Sequence, residues 1–520
     1  MYPRLVNLIR LVWLLAIAWY ELGTFYHHTA SCPWPDEHFE TLDSTPTHVL
    51  VVADPQIPDR HSYPDRAPWL QRLSQLVIDL NIRKSWRASL RRHPHAVVFL
   101  GDMMDNGRYA MPDDEYEAYF RRFKDIFAGD KDLPMYYLPG NHDIGLGTSS
   151  PRYQFSDHAV DRYTSHFGVL NQRITLANHT VWLIDAPGLV DEDRERAVAG
   201  KSYAQWAEAR PDRTIAFVQS LAQSTSCHPY VPRPCHRSSS ITGNTRPILF
   251  THVPLSRPEG TSCGPLRERG TIRQGRGLGY QNLLSPQASQ FLLQTIRPAV
   301  VFSGDDHDYC EYVHTVPLTD TKRPSPPASV PEITVKSFSM AMGVRRPGYQ
   351  LLSLVPPSLA RDGQSLAYRP CLLPDQLSIY LSVYIPLFVL SLIMLLAVNV
   401  RRVVIRHAAP SARSPDSMHL TPTADGSVDY DLPPPSAWRN KEFPRYGLWS
   451  WTFTLGGSRR RIVLPRPGIV QPVVAFLWKG TTRENELQKR AGVVKGVVKD
   501  LWEAAWAPLV LFVGIAWWVW

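Results

Sequence analysis

Beyond Cys371 the sequence has no cysteine, and from Gln376 to Val400 it has no formal charge. It also lacks a general basic excess. Residues 1–400 carry 39 Lys+Arg against 38 Asp+Glu, so the net +9 comes from residues 401–500, with 17 against 8. No internal repeat is visible. Each absence excludes something. A nucleic-acid-binding fold carries a basic stripe or face, whereas here the excess sits in about a fifth of the chain, so nucleic acid is not an expected partner. A chain of 520 residues with 44% hydrophobic content is too apolar to be mainly disordered and too long for one domain of ~100–200 residues. Confining all six cysteines to one side of an uncharged 25-residue run excludes a wholly cytosolic protein.

What is present sets a topology. The run from Gln376 to Val400 exceeds the ~20 residues that cross a bilayer. Arg401, Arg402 and Arg406 follow it, which places the residues beyond Val400 in the cytosol and the preceding unit across the membrane. Leu11–Tyr20 (LVWLLAIAWY) reads as a signal anchor with a cytosolic N-terminus, or as a signal peptide cut near Ala16 or Ala18. Ala504–Trp520 is a third apolar stretch, either a short span or an interfacial segment. The expected organisation is a cytosolic N-terminus and anchor (1–26), a lumenal unit (27–375), a transmembrane helix (376–400), a basic cytosolic tail (401–503) and the apolar end (504–520). Within the tail, Ala408–Pro435 reads as a disordered linker, and Arg459–Arg461, Arg466, Lys479, Lys489, Arg490, Lys495 and Lys499 suit anionic lipid. The six cysteines allow fifteen pairings. Cys32–Cys371 is expected to tie the unit's two ends beside the membrane, with Cys227–Cys235 a local loop pair and Cys263–Cys310 the remaining bridge. The glycosylation acceptor Asn178-His179-Thr180 lies in the same unit.

The unit itself reads as α/β. Apolar β-type runs (HVLVVAD, AVVFLGD, MYYLPGN, RPILFTH, PAVVFSGD) alternate with helical patterns such as WLQRLSQLVIDL and DEYEAYFRRFKDIFA. Every one of the five runs ends in Asp, Asn or His, at the carboxyl ends of strands, where open α/β sheets bind ligands. A lone Asp there is ordinarily a turn or cap residue. Five such blocks together are different: Asp54 and Gln56, Asp102 and Asp105, Asn141 with His142 and Asp143, His252, and Asp305 with His307. Carboxylates, amide oxygens and imidazoles gathered at one sheet edge need cations between them. Two divalent ions ~3.5–4 Å apart would turn these residues into a shell for phosphoester hydrolysis.

The blocks ADPQ, GDMMDNG, GNHD, THVP and GDDHD resemble the calcineurin-like metallophosphoesterase pattern over roughly residues 48–315. Gln56 stands where that pattern has its first His, and Asp305 replaces the first His of G-H-x-H. With FSGDDHDYC and TVKSFSMAMG, these departures resemble the endoplasmic-reticulum branch that trims ethanolamine phosphate from mannose of GPI anchors, to which fungal cell-division-cycle and trafficking homologues belong. The resemblance implies a four-layer αββα sandwich with a dinuclear site, acting on a GPI lipid or GPI-anchored protein at the endoplasmic reticulum or Golgi membrane. One metal would take Asp54, Gln56, Asp102 and His307; the other would take Asp102, Asn141, His252 and Asp305. His142 would protonate the leaving sugar oxygen, with Asp143 orienting its ring, Asp105 in support and Arg108 a phosphate contact. An oxygen-rich shell favours Mn²⁺ or Mg²⁺. Asp in place of His makes the site one unit less positive, which favours monoanionic diesters over dianionic monoesters. Two alternatives share the motifs: the same chemistry on a lipid-linked or nucleotide diester, and a non-catalytic metal sensor or cargo receptor.

Overall fold

The computed structural model describes residues 2–39, 45–147, 156–225, 246–317, 327–360, 364–408, 448–455, 458–465 and 493–520. The expected pair Cys227–Cys235 and the linker Ala408–Pro435, apart from Ala408 itself, lie outside them. The chain divides into two compact units, Ile17–Ile385 with Leu511–Trp520, and Met1–Ala16 with Pro386–Val510.

In the first unit the strands are β1 (Thr47–Val52), β2 (Ala96–Phe99), β3 (Met135–Tyr137), β4 (Gln172–Leu176), β5 (His179–Ile184), β6 (Ile248–Thr251), β7 (Arg276–Gly277), β8 (Tyr280–Gln281), β9 (Val300–Ser303), β10 (Cys310–Val316), β11 (Ala328–Thr334), β12 (Gly348–Leu354) and β13 (Leu366–Leu372). One sheet runs β13-β12-β1-β2-β3 and the other β10-β11-β9-β6-β5-β4; β7 and β8 form a separate small hairpin. The central strands are parallel, β1 with β2 and β3 in one sheet, β5 with β6, β9 and β11 in the other.

Alternation along each strand decides the layers. In β1, Val49 and Val51 face inward and meet Val181, Phe250 and Phe302 of the second sheet. Leu50 and Val52 face outward under Ile82 and Trp86 of helix Pro68–Leu90 and Phe123 of helix Asp113–Ile126. On the second sheet, Leu249 and Val301 face outward under Leu189, Ile215 and Leu292 of three further helices. Every central strand is buried on both faces, which is why the sequence shows continuous apolar runs rather than alternation. The result is an αββα sandwich, as expected.

Disulfides Cys32–Cys371 and Cys263–Cys310 are present. Asn178 is exposed at the two-residue turn between β4 and β5, in left-handed conformation with φ 62°. Inside the second sheet the buried Glu332 carboxylate gathers Arg257 at 2.8 Å, His314 at 2.6 Å, the Ser303 hydroxyl at 2.8 Å and the Leu255 N–H at 3.0 Å. These contacts hold its carboxyl below its usual range against the opposing effect of burial.

Among the described residues, three helices are long and apolar enough to cross a membrane: Pro3–His38, Gln376–Ile405 and Val493–Val519. The third begins eleven residues before the apolar stretch predicted from Ala504 and runs for 27 residues. Its first turns absorb charge by pairing: Asp500 accepts from Asn399 Nδ2 at 2.7 Å and lies 3.5 Å from Arg402. Elsewhere in the second unit, Arg10 donates to the Glu503 carbonyl at 2.9 Å, and a backbone hairpin pairs Leu448–Leu455 with Ser458–Pro465. In the first unit, Glu21 sits in a π-helical turn (Trp19–Gly23), buried, 2.6 Å from Lys84 Nζ of helix Pro68–Leu90, and accepts from Tyr384 OH at 2.8 Å.

Replacing Glu332 by Ala strands Arg257 as a buried unpaired charge. We expect a loss of ~3–5 kcal/mol, read as a lowered denaturation midpoint of the detergent-solubilised protein.

Candidate active site

Five strand ends converge. Asp54 follows β1, Asp102 follows β2, Asn141 follows β3, His252 follows β6 and Asp305 follows β9, so both sheets contribute at their carboxyl edges. The backbone there is unusual. Asp54, Gln56, Asp102, Asp305 and His307 have φ of 47°, 36°, 54°, 65° and 66°, a left-handed region few non-glycine residues enter. Such conformations persist only where neighbours enforce them. Here the loops brace one another: Gln56 N–H donates to Asp102 O at 2.9 Å and Asp105 N–H to Ile57 O at 3.2 Å. Ser337 Oγ donates to Asp54 O at 2.7 Å, and Ser337 N–H to His307 O at 2.9 Å.

The side chains turn towards one another. His252 donates Nδ1–H to Leu100 O at 2.6 Å, which aims Nε2 into the site. That nitrogen lies 3.0 Å from Asn141 Oδ1, 3.3 Å from Asp102 Oδ1 and 3.5 Å from Asp305 Oδ1, all acceptors. On the other side Asp54, Asp102 and His307 each offer an atom within 4.8 Å of the others, as do Asp102, His252 and Asp305. Asp102 belongs to both groups. Asp54 Oδ2 is buried without a hydrogen-bond partner, an arrangement that is costly unless a cation completes it. Gln56 Nε2 donates to Asp102 Oδ2 at 2.8 Å; a half-turn of the amide brings its oxygen to the same place.

The electrostatics carry the same message. Burial raises the Asp54 carboxyl well above its ordinary range, and Asp102 and Asp305 push it the same way, with His252 opposing. Burial would raise Asp102 too, but His252 and His142 hold it well below the usual carboxylate range. Burial opposes a proton on His252, and Asp102 and Asp305 overcome it and raise it well above the ordinary imidazole range. Burial lowers His307, leaving a neutral imidazole suited to ligation. A positive charge is required among these acceptors, and the donor set fits two divalent ions.

One expected role changes. Asp143 does not reach the His142 ring: Oδ2 accepts from Gly140 N–H at 2.9 Å and Oδ1 from Met104 N–H at 3.2 Å, as a loop brace. Burial, reinforced by Asp102, pushes its carboxyl up to about 7. Asp105 faces His142 instead: the ring's Nδ1 is 2.5 Å from Asp105 O and 3.4 Å from Asp105 Oδ1. His142 N–H caps Asp102 Oδ1 at 2.8 Å, while its side chain remains partly open to solvent.

Sequence reasoning also missed the β7–β8 hairpin. Gly279 O accepts from Asn141 Nδ2 at 2.9 Å and from Arg108 at 3.1 Å, so the hairpin fixes which end of the Asn141 amide faces His252. Arg108 also donates to Asn141 O at 3.1 Å and thereby steadies this loop. A backbone carbonyl leaves no residue-type signal, and only the glycine-rich run GRGLGY hinted at a tight turn.

The site tolerates no bulk at Gly140, where a Cβ would lie 2.0 Å from Asp102 Oδ1. Because the added carbon would also lie 2.4 Å from the Asp102 backbone nitrogen, Gly140→Ala should lose bound metal and phosphoesterase activity together and unfold below the wild-type temperature, as elemental analysis and thermal denaturation would show.

Comparison with known proteins agrees with this geometry. Residues 47–309 match the model of the calcineurin-like phosphoesterase family. The chain is 32% identical to Cell division control protein 1 of Saccharomyces cerevisiae over 362 residues, 69% of this chain and 65% of that protein, so it spans just under two thirds of that relative. It is 26% identical to Metallophosphoesterase 1 of Mus musculus over 61% of this chain and 72% of that protein, and 24% identical to the Xenopus laevis protein of the same name over 63% and 75%. With the family motif occupying half the chain and its acceptor-rich edge assembled from both sheets, the chain belongs to the calcineurin-like phosphoesterases, a family of metal-dependent phosphoester hydrolases.

Proposed function

We propose that the chain is a membrane-anchored dimetal phosphodiesterase that removes ethanolamine phosphate from mannose of GPI anchors during anchor remodelling, affecting exit of GPI-anchored proteins from the endoplasmic reticulum. Its catalytic unit would face the lumen of the endoplasmic reticulum or Golgi, with Asn178 glycosylated there and the basic tail cytosolic. The observation that carries the hydrolytic part is Asp102, shared between the Asp54–His307 and His252–Asp305 groups beside an orphaned Asp54 oxygen. The substrate part rests on the resemblance to the GPI-trimming branch.

Asp54, Gln56, Asp102 and His307 would hold one ion and Asp102, Asn141, His252 and Asp305 the other. When bound, the ions supply an activated water and neutralise charge on the phosphate. The protein's own residues do the rest. Asp102 sets the spacing by serving both groups. His252, tied to Leu100 O, keeps Nε2 aimed inward. With Nδ1 held on Asp105, His142 presents Nε2 as the proton donor to the leaving sugar oxygen. Asp305 lowers the positive charge of the site relative to a His, which weakens attraction for a dianionic monoester more than for a monoanionic diester. Mn²⁺ suits this oxygen-rich shell.

Incubating the purified protein with a GPI glycolipid bearing ethanolamine phosphate, and weighing the products by mass spectrometry, tests the substrate: loss of one ethanolamine phosphate is expected with wild type and not with Asp102→Ala. His142→Ala should lower kcat by about 10²–10⁴-fold on that diester while metal content stays unchanged. The catalytic efficiency on an aryl phosphodiester should exceed that on the matching monoester, and Mn²⁺ should restore a chelated protein better than Zn²⁺ does. A higher efficiency on the monoester would refute the charge argument, and better recovery with Zn²⁺ would refute the donor-set argument.

A further inference from the structure

Helix Pro68–Leu90 carries one stripe that the catalytic fold does not bury. Trp69, Leu73, Leu76, Leu80, Arg83 and Arg87 recur at alternating spacings of four and three, which places them on a single face of a helix. The opposite face, with Ile78, Ile82 and Trp86, packs into the core over the first sheet. Along the stripe the two halves differ. The second half meets the membrane-spanning helices. Arg83 donates to Trp520 O at 3.1 Å and Arg87 to Trp518 O at 2.6 Å, while the neighbouring Lys84 pairs with Glu21 at 2.6 Å. The first half stays open to solvent among the described residues: Trp69 is 69% exposed, Leu73 46% and Leu76 42%, with Leu70 beside them at 38%.

Leu76 and Arg83 are seven residues apart, about 10 Å along the helix. The uncovered apolar stripe therefore begins within about two turns of the point where the chain enters the bilayer. Trp518 and Trp520 mark that level, because tryptophans collect where hydrocarbon meets water. Among the described residues of the catalytic unit outside the candidate spans, other exposed large apolar side chains do not form such a stripe on one helix face.

We propose that Trp69, Leu70, Leu73 and Leu76 insert into the bilayer interface of the leaflet from which the catalytic unit emerges. The helix would then be a membrane-contacting keel, gripped by the spans at one end and by lipid at the other. Its N-terminus follows β1, so the lipid-inserted end lies on the side of the sheet where the metal-ligating loops lie. Lipid contact there holds that edge close to the membrane surface. The proposal needs only the membrane anchoring and not the identity of the substrate.

The test uses the full chain reconstituted in phosphatidylcholine vesicles, with an environment-sensitive fluorophore on a Leu73→Cys variant. A Val198→Cys variant, 86% exposed on a different helix, serves as reference, and unsubstituted protein sets the labelling background. Lipids carrying a shallow quencher should reduce emission from position 73 several-fold more than from position 198. Equal quenching at the two positions overturns the proposal. So does efficient crosslinking of position 73 to the same position in a second copy, which would make the stripe a self-association face. The readout requires no catalysis, so loss of the phosphodiesterase reading would leave it standing.

Discussion

Several lone pairs and negative charges meet at the buried Asp102, and that convergence is costly unless cations lie among them. Three carboxylates, an amide oxygen and two imidazoles are held within a few ångströms of one another. Without cations the site draws protons onto His252 and Asp54 to limit the repulsion. Much of the surrounding structure serves to hold that arrangement. Left-handed backbone at five of the seven ligand positions points the side chains inward, and paired loops and the Ser337 bridge hold that backbone in place.

The αββα arrangement makes this convergence achievable. Parallel strands present their carboxyl ends on one edge, and stacking two sheets face to face brings two such edges together. The apolar layer of Val49, Val51, Phe250 and Phe302 fixes the separation of the sheets, and hence of the Asp54 and Asp102 loops from the His252 and Asp305 loops. A truncation in that layer would act on the site without touching it. A candidate span adds a second constraint, because Glu21 and Lys84 tie it to the helix that covers the first sheet. Tethering of this kind raises the effective concentration of any substrate confined to the same leaflet.

Much of this was legible in the sequence. Strands buried on both faces write themselves as uninterrupted apolar runs, and the residue that ends each run is the one the site uses. The ligand set followed from those endings and from the resemblance. The resemblance implied that Asp143 orients the His142 ring with Asp105 in support, whereas the loop geometry sets Asp105 against the ring. Gly140 and Met104 N–H groups claim the Asp143 oxygens first. The Gly279 and Leu100 carbonyls could not be read at all, since every residue type has one. The third apolar helix starts earlier than composition indicates, because Asp500 finds Asn399 and Arg402, partners a hydropathy pattern does not record.

The order of strands in the first sheet has a bearing on biosynthesis. β1 is made early, yet one of its two neighbours is β12, and Ser337, which bridges to Asp54, also belongs to the late part of the chain. Neither can join until more than 280 further residues have left the ribosome. The candidate metal centre thus stays unassembled through most of the chain's synthesis, and its last braces arrive with Ser337 and β12, shortly before the candidate span that begins at Gln376.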